Sequence, residues 1–580
     1  MTMVAPWPRA AGGRWGHVAS RVLVAMTAPR ARAPVERPRP ARWFPWAVIG
    51  LALATVASRV PFRSHYLFAW DSANYALALD TYNVAFHQPQ PPGYPLYVAT
   101  AWAVRWVTGL DANASYVVLS IAASSVAVAM AAVVGARLFD RLTGILGAAL
   151  LSTSALFWGQ GEVAYPYAFL AAFGTAGAWV MLRVADGGRG AARWAVAGAI
   201  LLATGSGFRS EVAPFLAPLW SWAVITWPTT WRVRGRTVIG SVAAGLAVGA
   251  TWYLPMVQAT GGMDAYAAAT GGYYAYFIER TSGAGKQLLG VLENLRALVN
   301  CAYAGLGPSI VVLVADLGTR FRPTRIVTDR SSRVLAIWMV PPVAFYLLVH
   351  LGNPGYLLTI LPACAIIVAV GTRDLVADGL AAGVEVWRRF AEWQPGGSAR
   401  TGAFDSLSRE TRPSGDRDRA IAIVTGGVVS LLALANGVLF LVGPGEGRRR
   451  EISGIDEHFE RVLGAIQSDY PAASTLVVAY DRSRQYRYYL PGWRHELLFD
   501  VAVAGAVTDT TRYWEWRRKL AVPDGVDWVV FPDLGDNLAE SMGLVVARNL
   551  GSGEVMWVAA VRPGDEVTWG YRHATARRPH

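Results

Sequence analysis

With 580 residues, 53% of them hydrophobic and only 16% charged, the chain has the composition of a protein that crosses a bilayer repeatedly, not of a soluble enzyme. Its formal net charge is +13 and almost all of the positive charge is arginine, since lysine occurs only at Lys286 and Lys519. A nucleic-acid binder gathers such charge on a soluble face, whereas here it falls between apolar runs, where membrane topology accounts for it.

Residues 1–42 are rich in Arg, Pro and Ala, hold no apolar run of signal-peptide length, and read as a disordered cytoplasmic tail in which Met26 offers an alternative start. A helix that crosses the hydrocarbon core needs about 20 mostly apolar residues. The first such run is 43–61, preceded by Arg39 and Arg42, so the positive-inside rule sends it outward and places 62–110 outside. Within that outer stretch, 95–108 carries Arg105 and several Trp and suits an interfacial helix. Further spans are expected near 113–135, 142–159, 163–183, 192–207, 211–228, 236–256, 298–317, 334–351, 355–371 and 419–442, about eleven in all. Arg137, Arg141, Arg189, Arg193, Arg232, Arg234, Arg236, Arg320, Arg322, Arg325, Arg330 and Arg333 then all fall on the inner side. The two cysteines, Cys301 and Cys364, lie in or beside apolar runs, which argues against a disulfide framework.

Two longer connections interrupt the spans. Residues 257–297 are expected outside and 372–418 inside, the first half of the latter being an amphipathic helical pattern. After the last span, 443–580 turns polar. A helix at 458–466 and short strands at 475–480, 528–531, 544–547 and 556–561 indicate a small α/β domain, which an odd number of spans puts outside.

Polar residues at membrane depth are costly and therefore candidates for function. Four places stand out, all on the outer side of the same topology. Asp71, Asn74 and Tyr75 share one helix face, followed by His87 and a stiff turn with Pro89, Pro91, Pro92 and Pro95. The others are Gln160, Glu162 and Tyr165; Phe208 to Glu211, with Arg209; and His350 with Asn353, Pro354, Gly355 and Tyr356. Each has a plainer explanation. Asp71 and Glu162 serve equally as helix caps, Arg209 and Glu211 as an ion pair, and Tyr273–Tyr276 as an interfacial aromatic belt. Asn113-Ala114-Ser115 matches a glycosylation sequon.

The outer loop with its acid and its PPGYPLY turn resembles the GT-C superfamily of membrane glycosyltransferases, whose relatives include protein O-mannosyltransferases and lipid A aminoarabinose transferases. Asp71 and Pro91-Pro92 stand where that superfamily has an acid and a Pro-Pro helix. GFRSEVAPFLAPLW from Gly207 and HLGNPGYLLTILPA from His350 resemble stretches of bacterial members, so that the resemblance covers most of 43–371. Tyr488-Tyr489-Leu490-Pro491 is similar to related bacterial chains. Many relatives have an Asp-Glu pair, whereas Ser72 follows Asp71 here, which weakens any paired-acid or metal role.

The resemblance implies a mainly α, GT-C-like polytopic bundle over 43–371; the last helix at 419–442 and the α/β domain at 443–580 rest on the pattern of the sequence alone, and that domain resembles no family as a whole. The resemblance also implies a multi-pass protein of the bacterial plasma membrane that moves a sugar from a polyprenyl-phosphate carrier to a glycan, lipid or protein acceptor on the outer face. Asp71 is then the general base, and direct displacement inverts the anomeric centre. Arg209, Arg280, Lys286 and His350 are the candidates to meet the leaving phosphate, with Asn74, Tyr75, His87, Glu162 and Tyr356 completing the donor site. Membrane lipids are expected partners, nucleic acid is not, and no cofactor or metal is indicated. A transporter or flippase of lipid-linked sugars is the rival; it predicts inverted repeats, and no such repeat is visible.

Overall fold

The computed structural model describes residues 42–393 and 414–568, except 446, 480–481, 498, 501–514, 517–518, 535–545 and 563. Among these, eight helices are long and apolar enough to cross a membrane, and two shorter apolar helices, Arg141–Thr153 and Val212–Thr226, accompany them. Side chains mark where several begin. Asp111 caps Ala112–Leu138, Asp140 caps Arg141–Thr153, Thr230 caps Trp231–Ala259 and Asp329 caps Arg330–Leu348, each accepting a hydrogen bond from a first-turn N–H.

Burial sorts the helices into layers. The apolar windows of Ala112–Leu138 and Tyr167–Ala185 are 61% and 67% buried, those of Trp43–Phe62 and Trp231–Ala259 only 11%, so the first pair is core and the second faces lipid. Residues 361–371 are buried without a break and line the middle of the bundle. Pro95–Thr108 buries Tyr97, Val98 and Ala101 and exposes Trp102, Trp106 and Val107, the face of an interfacial helix.

The structure departs from the hydropathy reading at several points. The run 142–159 is broken at Ser154, which ends one helix and caps the short helix Ala155–Gln160. Residues 161–166 are not helical, and the next helix starts at Tyr167, after Pro166. The stretch 257–297 is not an open connection but holds Met263–Thr281 and the first part of Gly283–Leu306, which is kinked at Gln287. The run 355–371 opens as the 3₁₀ turn Pro354–Thr359 and continues as Leu361–Trp393, one helix that extends well into the expected inner connection. Asn113 of the sequon is buried in the first turn of its helix and donates to the Ser64 carbonyl (2.8 Å), which leaves no room for a glycan.

After the helix Ser414–Val442, the helix Arg449–Asp469 packs on a five-stranded sheet. In spatial order its strands are Arg494–Leu497, Thr475–Ala479, Trp528–Phe531, Glu554–Ala560 and Val546–Gly551; the first three are parallel and the remaining pairings antiparallel. Phe459, Val462 and Ile466 of the helix meet Val477, Val530 and Met556 of the sheet.

This α/β region sits at the end of the bundle that carries the Asp71 loop. The Asp456 carboxylate accepts from the backbone N–H of His65 (2.9 Å) and Tyr66 (2.9 Å), and the Tyr489 hydroxyl accepts from that of Leu67 (2.7 Å). The Ala112–Leu138 helix runs from that end over about 40 Å of rise. At its far end Arg137 pairs with Asp186, which also holds Arg330 (2.7 Å). Cysteines placed at the exposed Thr81 and Ser468 are therefore expected to label from one side of the membrane, and one at the exposed Thr324 from the other. Membrane-impermeant maleimide on whole cells and on inverted vesicles reads this out, the native Cys301 and Cys364 being buried.

Candidate functional site

Asp71 stands in the first turn of the helix Trp70–Ala78. The five residues after it are buried, while Trp70 and Asp71 keep part of their surface open. The protein around it strips away enough water to push its pKa up to about 6, against the opposing pull of Arg209 and of a hydrogen bond from Gln90. The Gln90 amide also donates to the Tyr75 hydroxyl (2.9 Å). Asn74, on the same helix face, accepts from Trp70 Nε1 (3.1 Å) and donates to the His87 carbonyl (3.2 Å), with its amide oriented to satisfy both. Asn74 thus ties the helix to the turn that follows.

That turn is shaped by backbone that few residues adopt. His87 and Tyr94 have left-handed φ of 53° and 48°, and Gly93 lies at 115°. A Cβ on Gly93 would sit 2.7 Å from Met256 Sδ and 2.9 Å from the Tyr82 hydroxyl, so glycine is required both by φ and by space. Burial and the nearby Arg484 push the His87 pKa down to about 4, leaving a neutral ring that packs edge-on against Tyr273 (5.9 Å between centroids).

Arg209 lies between the helices Ala191–Phe208 and Val212–Thr226 and is 1% exposed. Its Nη2 donates to Glu211 Oε1 (2.5 Å) and its Nε to Oε2 (3.3 Å). The guanidinium carbon lies over three tyrosine rings, 4.5 Å from Tyr167, 4.9 Å from Tyr356 and 5.4 Å from Tyr94. Gly355 lets one wall close: a Cβ there would come within 2.4 Å of the Tyr167 ring. Burial opposes the Arg209 charge, but Glu211 outweighs it and keeps the arginine protonated; burial likewise opposes the Glu211 charge, and Arg209 holds that carboxyl below its ordinary range. Burial keeps the Tyr356 phenol protonated, its pKa pushed up to about 12. His350 stacks edge-on against Tyr356 (6.1 Å), and burial lowers its pKa in spite of the pull of Glu211.

Three of the four places singled out in the sequence thus converge: Asp71, Arg209 with Glu211, and His350 with Tyr356. The fourth is adjacent but distinct. Glu162 accepts from Trp158 Nε1 (2.6 Å) and faces Arg59, a guanidinium buried beneath Phe157 and Trp158. Burial raises the Glu162 pKa even against Arg59. Tyr165 from the same turn contacts Tyr167 (5.2 Å), which links the two clusters through aromatic rings. Lys286 pairs with Glu293 on its own helix (2.7 Å), and the side chain of Arg280 lies outside the described residues. Sequence reasoning missed Tyr94, Tyr167, Gln90 and Arg59. Among the described residues no group of three His, Cys, Asp or Glu is placed to hold a metal ion.

A largely buried carboxylate of raised pKa beside a permanently charged guanidinium can take a proton from a hydroxyl while the cation steadies developing negative charge nearby.

No protein-family profile and no curated protein matches the sequence. Among solved structures, the chain is similar to ArnT from Cupriavidus metallidurans bound to undecaprenyl phosphate, at 14% identity and a TM-score of 0.54, over 90% of this chain and 98% of that one. The apo form of the same protein matches at 14% identity and a TM-score of 0.52 with the same coverage. The chain therefore has the GT-C fold.

The buried pair makes a sharp prediction. Arg209→Ala strands the Glu211 charge and is expected to cost about 3–5 kcal/mol, whereas Arg209→Met combined with Glu211→Leu lies close to wild type in stability. Unfolding in mixed micelles measures both; equal losses in the single and double variants would show that the pair does not carry the energy.

Proposed function

We propose that the chain is a membrane glycosyltransferase that uses a polyprenyl-phosphate-linked sugar and works on the extracytoplasmic face of a bacterial plasma membrane. The observation that carries this reading is the placement of a largely buried, proton-accepting Asp71 beside the Arg209 cage, at one end of a GT-C-fold bundle. A solved structure of the same fold holds undecaprenyl phosphate, which supports a lipid phosphate as the carrier.

The reaction balances as a direct displacement. The acceptor hydroxyl oxygen forms a bond to the anomeric carbon and its proton passes to Asp71. The bond from the anomeric carbon to the phosphate oxygen breaks, and the electron pair leaves with the lipid phosphate. Attack opposite the leaving group inverts the anomeric centre. Arg209, held charged by Glu211, steadies the phosphate side, and the protonated phenols of Tyr356 and Tyr94 are donors toward the same charge. Neutral His87 and His350 add hydrogen-bonding groups without adding charge. Glu162 and Lys286, each engaged by a partner of its own, lie further down the list of donor contacts.

A base must be deprotonated to act, and the Asp71 pKa of about 6 lies well above that of a solvated aspartate. Transfer is expected to rise with pH through about 6 and then level off. Asp71→Asn keeps the shape of the side chain, removes its basicity, and should lower turnover by about 10²–10⁴-fold. It should also stabilise the fold at neutral pH, because folding binds protons at Asp71 between its unfolded and folded pKa values, and the stability so gained is lost as pH rises through about 6. Transfer from a panel of radiolabelled polyprenyl-phosphate sugars into membrane extracts, with folding checked separately, tests both points. A folded Asn variant with wild-type transfer would remove Asp71 from the chemistry.

A further inference from the structure

We propose that Arg484 of the C-terminal α/β region is a positioning residue for the Asp71 helix, so that this region completes the donor site; the inference rests on the reading of Asp71 just given. The Arg484 side chain is only 4% exposed although it belongs to a polar region of the chain. Its guanidinium carbon lies 5.6 Å from the Trp70 ring, and its Nη2 donates to the Phe86 carbonyl (3.3 Å). Trp70 immediately precedes Asp71, and Phe86 immediately precedes His87. Between them, Asn74 joins the Trp70 indole to the His87 carbonyl. Arg484 therefore closes a ring of contacts across the start of the Asp71 helix and the turn that leads to Gln90. After burial, its charge is what keeps His87 neutral.

A long side chain positions others only if its own base is fixed. Arg484 sits on the short helix Ser483–Tyr489, which is anchored from several directions. The Tyr486 hydroxyl bonds His458 Nε2 (2.7 Å), His458 Nδ1 bonds Glu554, and Glu554 Oε2 also accepts from Arg461 (2.8 Å). The Arg482 N–H donates to Asp533 (2.8 Å), and the Tyr489 hydroxyl accepts from Leu67 of the Asp71 loop (2.7 Å). Helix, sheet and loop are thus fastened on either side of Arg484. A purely adhesive interface would need no buried guanidinium aimed at this one turn.

The test uses full-length protein in lipid nanodiscs. In Arg484→Gln, hydrogen exchange of amides 72–90 is expected to rise at least about tenfold while strand amides 475–479 stay protected. The His87 titration, followed by NMR of ring-labelled histidine, is expected to move upward once the neighbouring cation is gone. Turnover in the transfer assay should fall at least about tenfold with the donor KM within about twofold, the signature of misplaced chemistry rather than lost binding. Arg484→Lys keeps the charge and loses the planar stack; it should leave the His87 titration in place and raise exchange only partly. Arg487→Ala, an exposed cation on the same short helix, should change nothing. Wild-type exchange in both Arg484 variants overturns the proposal, as does raised exchange with unchanged turnover. Wild-type transfer by Asp71→Asn would instead overturn the reading of the base, while the exchange and titration results still decide whether Arg484 holds the loop.

Discussion

A guanidinium taken out of water has to be compensated where it lies, and much of the site follows from how this chain compensates Arg209. Glu211, two residues on, supplies the opposite charge, and three tyrosine faces supply the rest of the shell. The pair is nearly neutral as a unit, so it can sit beside Asp71 without fully drawing down that carboxyl, whose burial wins and raises its pKa. Had Arg209 been unpaired, the attraction would have favoured the ionised carboxylate far more strongly and left it a poorer proton acceptor. Burial, opposed by a cation that Glu211 already engages, is thus what sets the basicity of Asp71.

The same shell draws its parts from distant stretches of chain. Tyr94 comes from the Pro-rich turn, Tyr167 from the start of a core helix, and Tyr356 from a 3₁₀ turn. This explains what could and could not be read from the sequence. Asp71, Arg209 and His350 were legible because each is polar and stands at the end of an apolar run, where polarity is expensive. Tyr94 and Tyr167 were not, because a tyrosine at a membrane boundary is ordinary and nothing in its spacing marks the face it will turn to a cation. Arg59 was hidden because it closes an apolar span, where a basic residue is the normal end signal, and its partner Glu162 looked like a helix cap. The breaks at Ser154 and Pro166 were missed for a related reason: hydropathy adds residues over a window and does not register a capping hydroxyl or a proline that divides it. The bundle, the interfacial helix and the α/β region were legible because each rests on a period or a composition sustained over many residues.

The α/β region contacts the Asp71 loop through backbone N–H groups of three consecutive residues, His65 to Leu67, and through a buried arginine. Contacts to backbone fix a segment without depending on its side chains. They leave Asp71 and its neighbours free to be chosen for chemistry, while shape is maintained from elsewhere in the chain.

Those contacts join residues 390 to 422 positions apart, among the longest-range hydrogen bonds in the molecule. A chain made from its N-terminus inserts the Asp71 loop early and makes the segment that braces it near the end. Until then the carboxylate sits on a loop held by contacts within the bundle alone, such as those of Asn113 with Ser64 and of Tyr116 with the Tyr75 carbonyl. That brace therefore waits on completion of synthesis: a truncated or stalled chain can hold every residue of the aromatic cage and still lack the contacts that pin His65 to Leu67 from outside the bundle.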